Sequence, residues 1–537
     1  MNFSLGFADG AVIALYFLAV FAIAWWATRN EPRVRQTSAG YFLAGRNVGW
    51  FVVGASLFAS NIGSEHLIGL AGSGFKGGVA VGQFEILASL ILLILGWVFV
   101  PFYLRSGVFT MPEFLERRYS SGARAYLSWV SILSYVLTKI SVTIAAGGIV
   151  FEAVGINFWV GAIVVVLATG LYTIFGGLRA VVYTDMLQMF VLIGGSVTVT
   201  LIGLVQIGGW GALKAAAGSS FFDLWQPISH PEFPWTGIIL GAPILGVWYW
   251  CTDQFIVQRV LSAKNEDHAR RGSIFGGFLK VLPLFIFVIP GIVAYVLASS
   301  GKVQVNNPDQ ALPALIGALL PVGLRGLVIA GLLAALMSSL SSVFNSCSTL
   351  ITIDIYQKLH PEASERQLVW VGQIATAALV AFGLAWIPIM RGLGQLYVYL
   401  QSVQAYISPP IAAVFLLGVF WKRLNARGAM AALLSGFVLG MARLILEINK
   451  AHLHGLWAAY AGINFLHFAA ILFVVCCAIL VLASLTAPPP PAEKIAGLTY
   501  ETAHAAESDD PHWRRQDALL SILLAAIVAA VWIYFSG

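Results

Sequence analysis

Charge is what this sequence has least of. Only 10% of its 537 residues are Asp, Glu, Lys or Arg, against roughly 25% in a soluble globular domain, so the chain cannot cover a water-facing surface of that size. That excludes a cytosolic enzyme. Cysteine is nearly as scarce: four residues, two of them the adjacent pair Cys476 and Cys477 in an apolar run, build no disulfide framework. A hydrophobic fraction of 59% excludes a disordered chain. A phosphate-cradling Gly-Lys-Ser loop, paired cysteines at zinc spacing and a histidine pair at helical spacing are all missing, so no enzyme motif competes. The small excess of 30 Lys and Arg over 24 Asp and Glu is strung between hydrophobic stretches rather than gathered into a patch. It reads as a membrane-topology signal, not as a nucleic-acid footprint.

What is abundant is apolar sequence, with a mean hydropathy of +0.85. A helix needs about 20 apolar residues to cross a bilayer core. Fourteen stretches qualify, at approximately 9–28, 48–72, 79–104, 125–153, 157–176, 180–207, 236–260, 272–299, 325–358, 367–390, 394–421, 427–446, 463–485 and 516–535. The expected fold class is therefore an all-α integral membrane protein of about fourteen transmembrane helices. The first stretch is not a signal peptide, because Arg29, Arg33 and Arg35 follow the apolar run instead of preceding it. With the N-terminus outside, most Lys and Arg residues fall in alternate, cytoplasmic loops, and both termini are expected outside. Of the long polar segments, 208–235 is expected outside. The other, 486–515, opens with the run Pro488 to Pro491, reaches Asp509 and Asp510, and reads as a flexible cytoplasmic linker before the last helix, 516–537.

Polar groups at membrane depth are costly, so each needs a partner or a task. Asn61, Ser64, Glu65 and His66 interrupt the second stretch around Gly63, and Trp250, Cys251, Thr252 and Asp253 interrupt the seventh. Two interrupted helices five spans apart point to an inverted-repeat transporter with its site at the midplane; the alternative is a pair of kinks filled by neighbouring side chains. In the ninth stretch, residues 335, 338, 339, 342, 345 and 346 share one helical face of small residues and hydroxyls. Such a stripe serves close helix packing, or it supplies serine oxygens to a hard cation such as sodium facing freed carbonyls. Glu85 and Lys280 carry opposite charges on different spans, and Lys139 and Asp185 lie within two more. The Glu85 and Lys280 pair either fixes helix register or faces a polar cavity. With Asn61, His66 and Gln401, and with Tyr249 and Trp250 as aromatic faces, the second reading suits a polyhydroxylated solute.

Several segments resemble the sodium:solute symporters, and among them the sodium/glucose cotransporter type. They are Ala59-Ser-Asn-Ile-Gly-Ser-Glu-His66, Tyr172-Thr-Ile-Phe-Gly-Gly-Leu-Arg179 with Tyr183-Thr-Asp185, Trp248-Tyr-Trp-Cys-Thr-Asp-Gln254 and Ile256-Val-Gln-Arg259. Ala335-Leu-Met-Ser-Ser339, Asn345-Ser346, Asp354-Ile-Tyr356, Tyr399-Leu-Gln-Ser402 and Pro409-Pro-Ile-Ala-Ala-Val-Phe415 continue the series, which covers most of residues 45 to 430. The resemblance implies a leucine-transporter type of fold, with inverted five-helix repeats at about 48–207 and 236–421, a first helix at 9–28 and extra helices at 427–485. It implies a sodium site at the carbonyls of Ala59, Ile62 and Ala335 and the hydroxyls of Ser338 and Ser339. A second sodium would use Asp185, Ser60, Ser341 and Ser342, so one sodium ion or two are left open. By the same resemblance a sugar site falls on Asn61, His66, Glu85, Lys280 and Gln401, with Tyr249 as inner gate, Trp250 beside it, and Leu70, Phe84 and Tyr397 as outer gate.

The chain departs from that pattern at Glu65, where relatives usually have Gly, at Ile86 and Leu87, and at Val398, Gln404 and Gly246. The expected function is sodium-coupled symport of a hexose such as glucose or galactose by alternating access. The alternatives are a symporter of inositol, an amino acid, a carboxylate or a vitamin, or an uncoupled membrane sensor or channel. Sugar, sodium and the lipid bilayer are the expected partners, with no nucleic acid, and a bacterial inner membrane is the expected location.

Overall fold

In a bilayer core every backbone N–H and C=O must find its partner within the segment, which an apolar run achieves only as a helix. The structure, a computed structural model, describes residues 5–29, 37–153, 155–390, 396–502 and 511–537. It is helical almost throughout, with no named strand among the described residues. Ten helices among those residues are long and apolar enough to cross a membrane, and the chain is a multi-pass membrane protein. Large apolar side chains such as Phe175, Val205, Trp370 and Leu482 stand exposed on their outer faces, where lipid replaces water as the solvent.

Part of the difference from the fourteen expected stretches is that several spans are joined or broken. Two are joined in Phe158–Ile207, a 50-residue helix bent at Gly177, where φ is 58° and ψ −160°. A Cβ there would lie 2.5 Å from the Tyr41 carbonyl oxygen, so the bend requires glycine. The expected span 48–72 is broken into Trp50–Asn61 and Ser64–Gly77. The expected span 236–260 is divided among Trp235–Leu240, Ala242–Val247, the π-turn Trp248–Thr252 and Gln254–Leu261.

The most extensive helix contact joins Phe158–Ile207 to Leu324–Thr349. Small residues permit it: a Cβ on Gly195 would come 3.2 Å from the Leu327 carbonyl oxygen, so the backbones approach closely. This contact sets Asp185 against the serine stripe of Leu324–Thr349. The C-terminal helix Pro511–Tyr534 is clamped by Asp517, which accepts from Arg270 Nε at 3.1 Å and Arg271 Nε at 2.7 Å.

Two expectations about the polar segments between spans change. Part of the segment read as a flexible linker is packed down: Lys494 Nζ donates to the Tyr119 carbonyl at 2.6 Å, Tyr500 N donates to the Val419 carbonyl at 2.8 Å, and Ile495 and Leu498 are buried. Asp509 and Asp510, like Arg33, Arg35 and Arg391, lie outside the described residues. Arg118 is more than a topology signal. Its buried guanidinium donates to the carbonyls of Gly418, Trp421 and Leu424 at 2.9, 3.0 and 3.0 Å, satisfying the C-terminal end of the helix Leu396–Phe420.

Candidate functional site

The seven side chains expected to contact a polyhydroxylated solute, Asn61, His66, Glu85, Tyr249, Trp250, Lys280 and Gln401, line one cavity. Its volume is about 50 Å³, well below the roughly 300–1,000 Å³ typical of small-molecule sites. The break after Asn61 turns that side chain and His66 inward from the two halves of one span. Helix Gln83–Ile94 supplies Glu85, the π-turn Trp248–Thr252 supplies the aromatics, and Leu396–Phe420 supplies Gln401.

The polar groups form a connected set. Lys280 Nζ donates to Glu85 and, at 2.5 Å, to Asn61 Oδ1, while its ammonium lies 5.4 Å from the Trp250 ring centre. Asn61 Nδ2 donates to the Tyr249 hydroxyl at 3.1 Å, and Gln401 Nε2 to the Tyr397 hydroxyl at 2.8 Å. The charges of Glu85 and Lys280 are ion-paired, and both residues line the cavity. Carboxylate and amide oxygens accept from vicinal hydroxyls, the ammonium and amide N–H groups donate to ring and hydroxyl oxygens, and the Trp250 face suits the apolar side of a ring.

The side chains that line the cavity are nearly all buried. Gln401 is the most exposed of the seven side chains at 9%. On one side Tyr397 is fully buried, its ring 5.6 Å from His66 and 6.3 Å from Phe84, and Leu70 is buried nearby. A Cβ at Gly69 would come within 2.5 Å of Tyr397 Cβ, so glycine there lets the ring settle over the cavity. On the other side Tyr249 stacks edge-on against Trp250, and beyond it the Tyr135 hydroxyl donates to Asp253, which also accepts from Phe255 N at 3.0 Å.

Of the residues expected to hold sodium, Ala59, Ile62 and Ser339 lie at the first break. Gly63 N turns to the Asn61 carbonyl at 3.1 Å, leaving the Ala59 carbonyl without its helical donor, and Ile62 adopts extended backbone with ψ 90°. Ser339 Oγ donates to the Ser60 carbonyl at 3.2 Å, bringing the stripe that includes Ala335 and Ser338 against the break. Ser338 itself donates to Asp185 Oδ1 at 2.9 Å. Of the second set, Ser60 Oγ donates to Asp185 Oδ2 at 2.9 Å and Ser342 Oγ to Ser60 Oγ at 2.9 Å. Ser341 bonds back to the Ser338 carbonyl at 3.0 Å instead of reaching the carboxylate. Such an array of neutral oxygens around one carboxylate matches the preference of a hard cation.

Three residues at the site escaped the sequence reading of roles. Ser56 Oγ donates to Asp185 Oδ2 at 2.6 Å; its signal was a hydroxyl four residues before Ser60, on the same helix face. Gln404 lines the cavity, as does Lys139, whose presence at membrane depth was the signal. Lys139 also alters the meaning of Glu65. That carboxylate accepts from Thr143 Oγ1 at 2.8 Å and lies 3.6 Å from Lys139 Nζ and 3.5 Å from His66 Nδ1. The departure at Glu65 thus brings a balanced pair to the site, with the cation and not the carboxylate on the cavity wall.

Residues 41–436 match the sodium:solute symporter family. The chain is 42% identical over 513 residues to sodium/glucose cotransporter 1 of Oryctolagus cuniculus, covering 87% of this chain and 77% of the relative. It is 44% identical over 487 residues to the sodium/myo-inositol cotransporter of Mus musculus, covering 82% of this chain and 67% of the relative. Among solved structures, a Na+-coupled sialic acid symporter in a substrate-bound outward-open state superposes with a TM-score of 0.76 at 24% identity, over 90% of this chain and 99% of that one. At that identity the likeness shows the fold, which is of the leucine-transporter type.

Proposed function

The chain belongs to the sodium:solute symporter family, and from that premise we propose that it couples sodium entry to the uptake of a hexose such as glucose or galactose by alternating access. It is a transporter and not an enzyme. The observation that carries the sugar reading is the convergence of Asn61, His66, Glu85, Lys280, Gln401, Tyr249 and Trp250 on one cavity. A cyclic polyol such as myo-inositol is the second reading, favoured by the 44% identity to the inositol cotransporter; it offers the same hydroxyls without a ring oxygen.

In the proposed cycle sodium binds between the carbonyls of Ala59, Ile62 and Ala335 and the hydroxyls of Ser338 and Ser339, and holds the broken span against the serine stripe. Solute then enters past Leu70, Phe84 and Tyr397, which close over it. Movement of Tyr249 opens the other side. Coupling requires that sodium bind one state more tightly than the other, since equal affinity shifts nothing. One charge crossing 100 mV supplies about 2.3 kcal/mol and a tenfold gradient about 1.4, together roughly 500-fold accumulation per ion. The alternation of Lys and Arg along the chain supports an orientation with both termini outside.

The test is uptake of radiolabelled glucose, galactose and myo-inositol into proteoliposomes, with and without an inward sodium gradient. Sodium-dependent accumulation of a hexose is the expected result. Accumulation of myo-inositol alone selects the second reading, and sodium-independent equilibration refutes coupling.

A further inference from the structure

Arg259, on the helix Gln254–Leu261, has none of its surface exposed. Its Nε donates to Ser60 Oγ at 3.0 Å and its Nη1 to the Phe255 carbonyl, and the guanidinium carbon lies 5.2 Å from the Phe255 ring centre. Nη2 is buried and makes no hydrogen bond to any described residue. A buried guanidinium demands a compensating anion, and here Asp185 stands one hydroxyl away, bridged by Ser60. Ser60 is fully engaged. Its single proton goes to Asp185, and it accepts from both Arg259 and Ser342 at 3.0 and 2.9 Å, so both lone pairs are used. In this arrangement Ser60 Oγ has no electron pair left for a metal ion.

We infer that Arg259 is a tethered cation that alternates with a transported sodium ion at Ser60 and Asp185. The inference rests on the sodium-coupled reading above and takes the second sodium set, which includes Ser60 and Asp185, to be occupied besides the site used in that cycle. When sodium arrives, the guanidinium gives up Ser60 and the hydroxyl turns its lone pair to the ion. When sodium leaves, the guanidinium returns to Ser60, the arrangement of this structure. A fully buried carboxylate is thereby offset by a cation in every state of the cycle, by the ion or by Arg259. Sodium binds in competition with a resident charge, which weakens its affinity and speeds its release to the side of low concentration.

The experiment is equilibrium binding and dissociation of 22Na+ with the purified full chain, comparing wild type, Arg259→Gln and Arg259→Lys, each checked by thermal melting. Removing the competing charge in Arg259→Gln should tighten 22Na+ binding at least fivefold and slow its release by a similar factor. Arg259→Lys, which keeps the charge and loses the planar fork, should bind 22Na+ within twofold of wild type. Unchanged or weaker binding in a folded Arg259→Gln overturns the inference. Should Arg259→Gln fail to fold, the Lys variant decides: near wild-type 22Na+ affinity supports a role for the charge, whereas loss of binding or of folding shows a brace built from the guanidinium's hydrogen bonds and overturns it. A wild-type protein that binds no 22Na+ refutes the sodium-coupled reading itself, whatever the variants do.

Discussion

Replacing Glu85 alone should harm the protein more than replacing Glu85 and Lys280 together. The two side chains are 3% and 1% exposed and ion-paired, so truncating the carboxylate strands a buried ammonium. Breaking a buried pair from one side costs about 3–5 kcal/mol. Part of that returns here, because Lys280 keeps Asn61 Oδ1 at 2.5 Å and the Trp250 ring at 5.4 Å. Glu85→Ala is therefore expected to destabilise by about 3 kcal/mol, at the lower end of that range. Glu85→Gln, which retains an acceptor oxygen, should cost about 1–2 kcal/mol. The double variant Glu85→Gln with Lys280→Met removes both charges and should lie within about 1 kcal/mol of wild type, as charge-free replacements of buried pairs often do. Solute binding behaves differently, because charge-assisted bonds to hydroxyls contribute about 1.5–3 kcal/mol each, and the double variant, which loses one at each residue, should bind glucose at least roughly 150-fold more weakly. Thermal melts in detergent read the first quantity and equilibrium binding of labelled glucose the second. A double variant as unstable as the sum of its singles would show that the two residues act independently, and would refute the pairing argument.

Ser339→Ala removes the hydroxyl that meets the Ser60 carbonyl at 3.2 Å, and should abolish sodium activation of uptake with little change in melting temperature; unchanged activation would sink the site assignment. Gln401→Ala should weaken glucose binding about tenfold, the cost of one lost hydrogen bond in a dry site, while 22Na+ binding stays within twofold. Equal losses of the two ligands would make Gln401 a structural residue. Gly177→Ala forces a side chain onto a φ of 58° and a Cβ to within 2.5 Å of the Tyr41 carbonyl oxygen, and should destabilise by more than about 1 kcal/mol. A melt equal to wild type would show that the bend can be rebuilt without glycine.

Membrane residence, helical class and the two interrupted spans were legible in the sequence because the cost of placing a group in lipid is local: twenty apolar residues in a row, or a polar residue among them, carry that meaning wherever the chain runs. The polar residues that line the cavity were legible for the same reason, since Asn61, Glu85, Lys280 and Gln401 had no business in hydrocarbon unless they faced one another. Which polar groups meet was decided only by tertiary structure. Arg259 and Ser60 are 199 positions apart and Lys280 and Glu85 195 apart, so no spacing rule within a helix links them. The rotation of each helix about its axis selects Ser338 and not Ser341 for Asp185, sets Lys139 against Glu65, and buries Arg118 at the end of another helix. Those rotations follow from how small residues let particular faces approach, a property of pairs of helices that neither sequence segment holds alone.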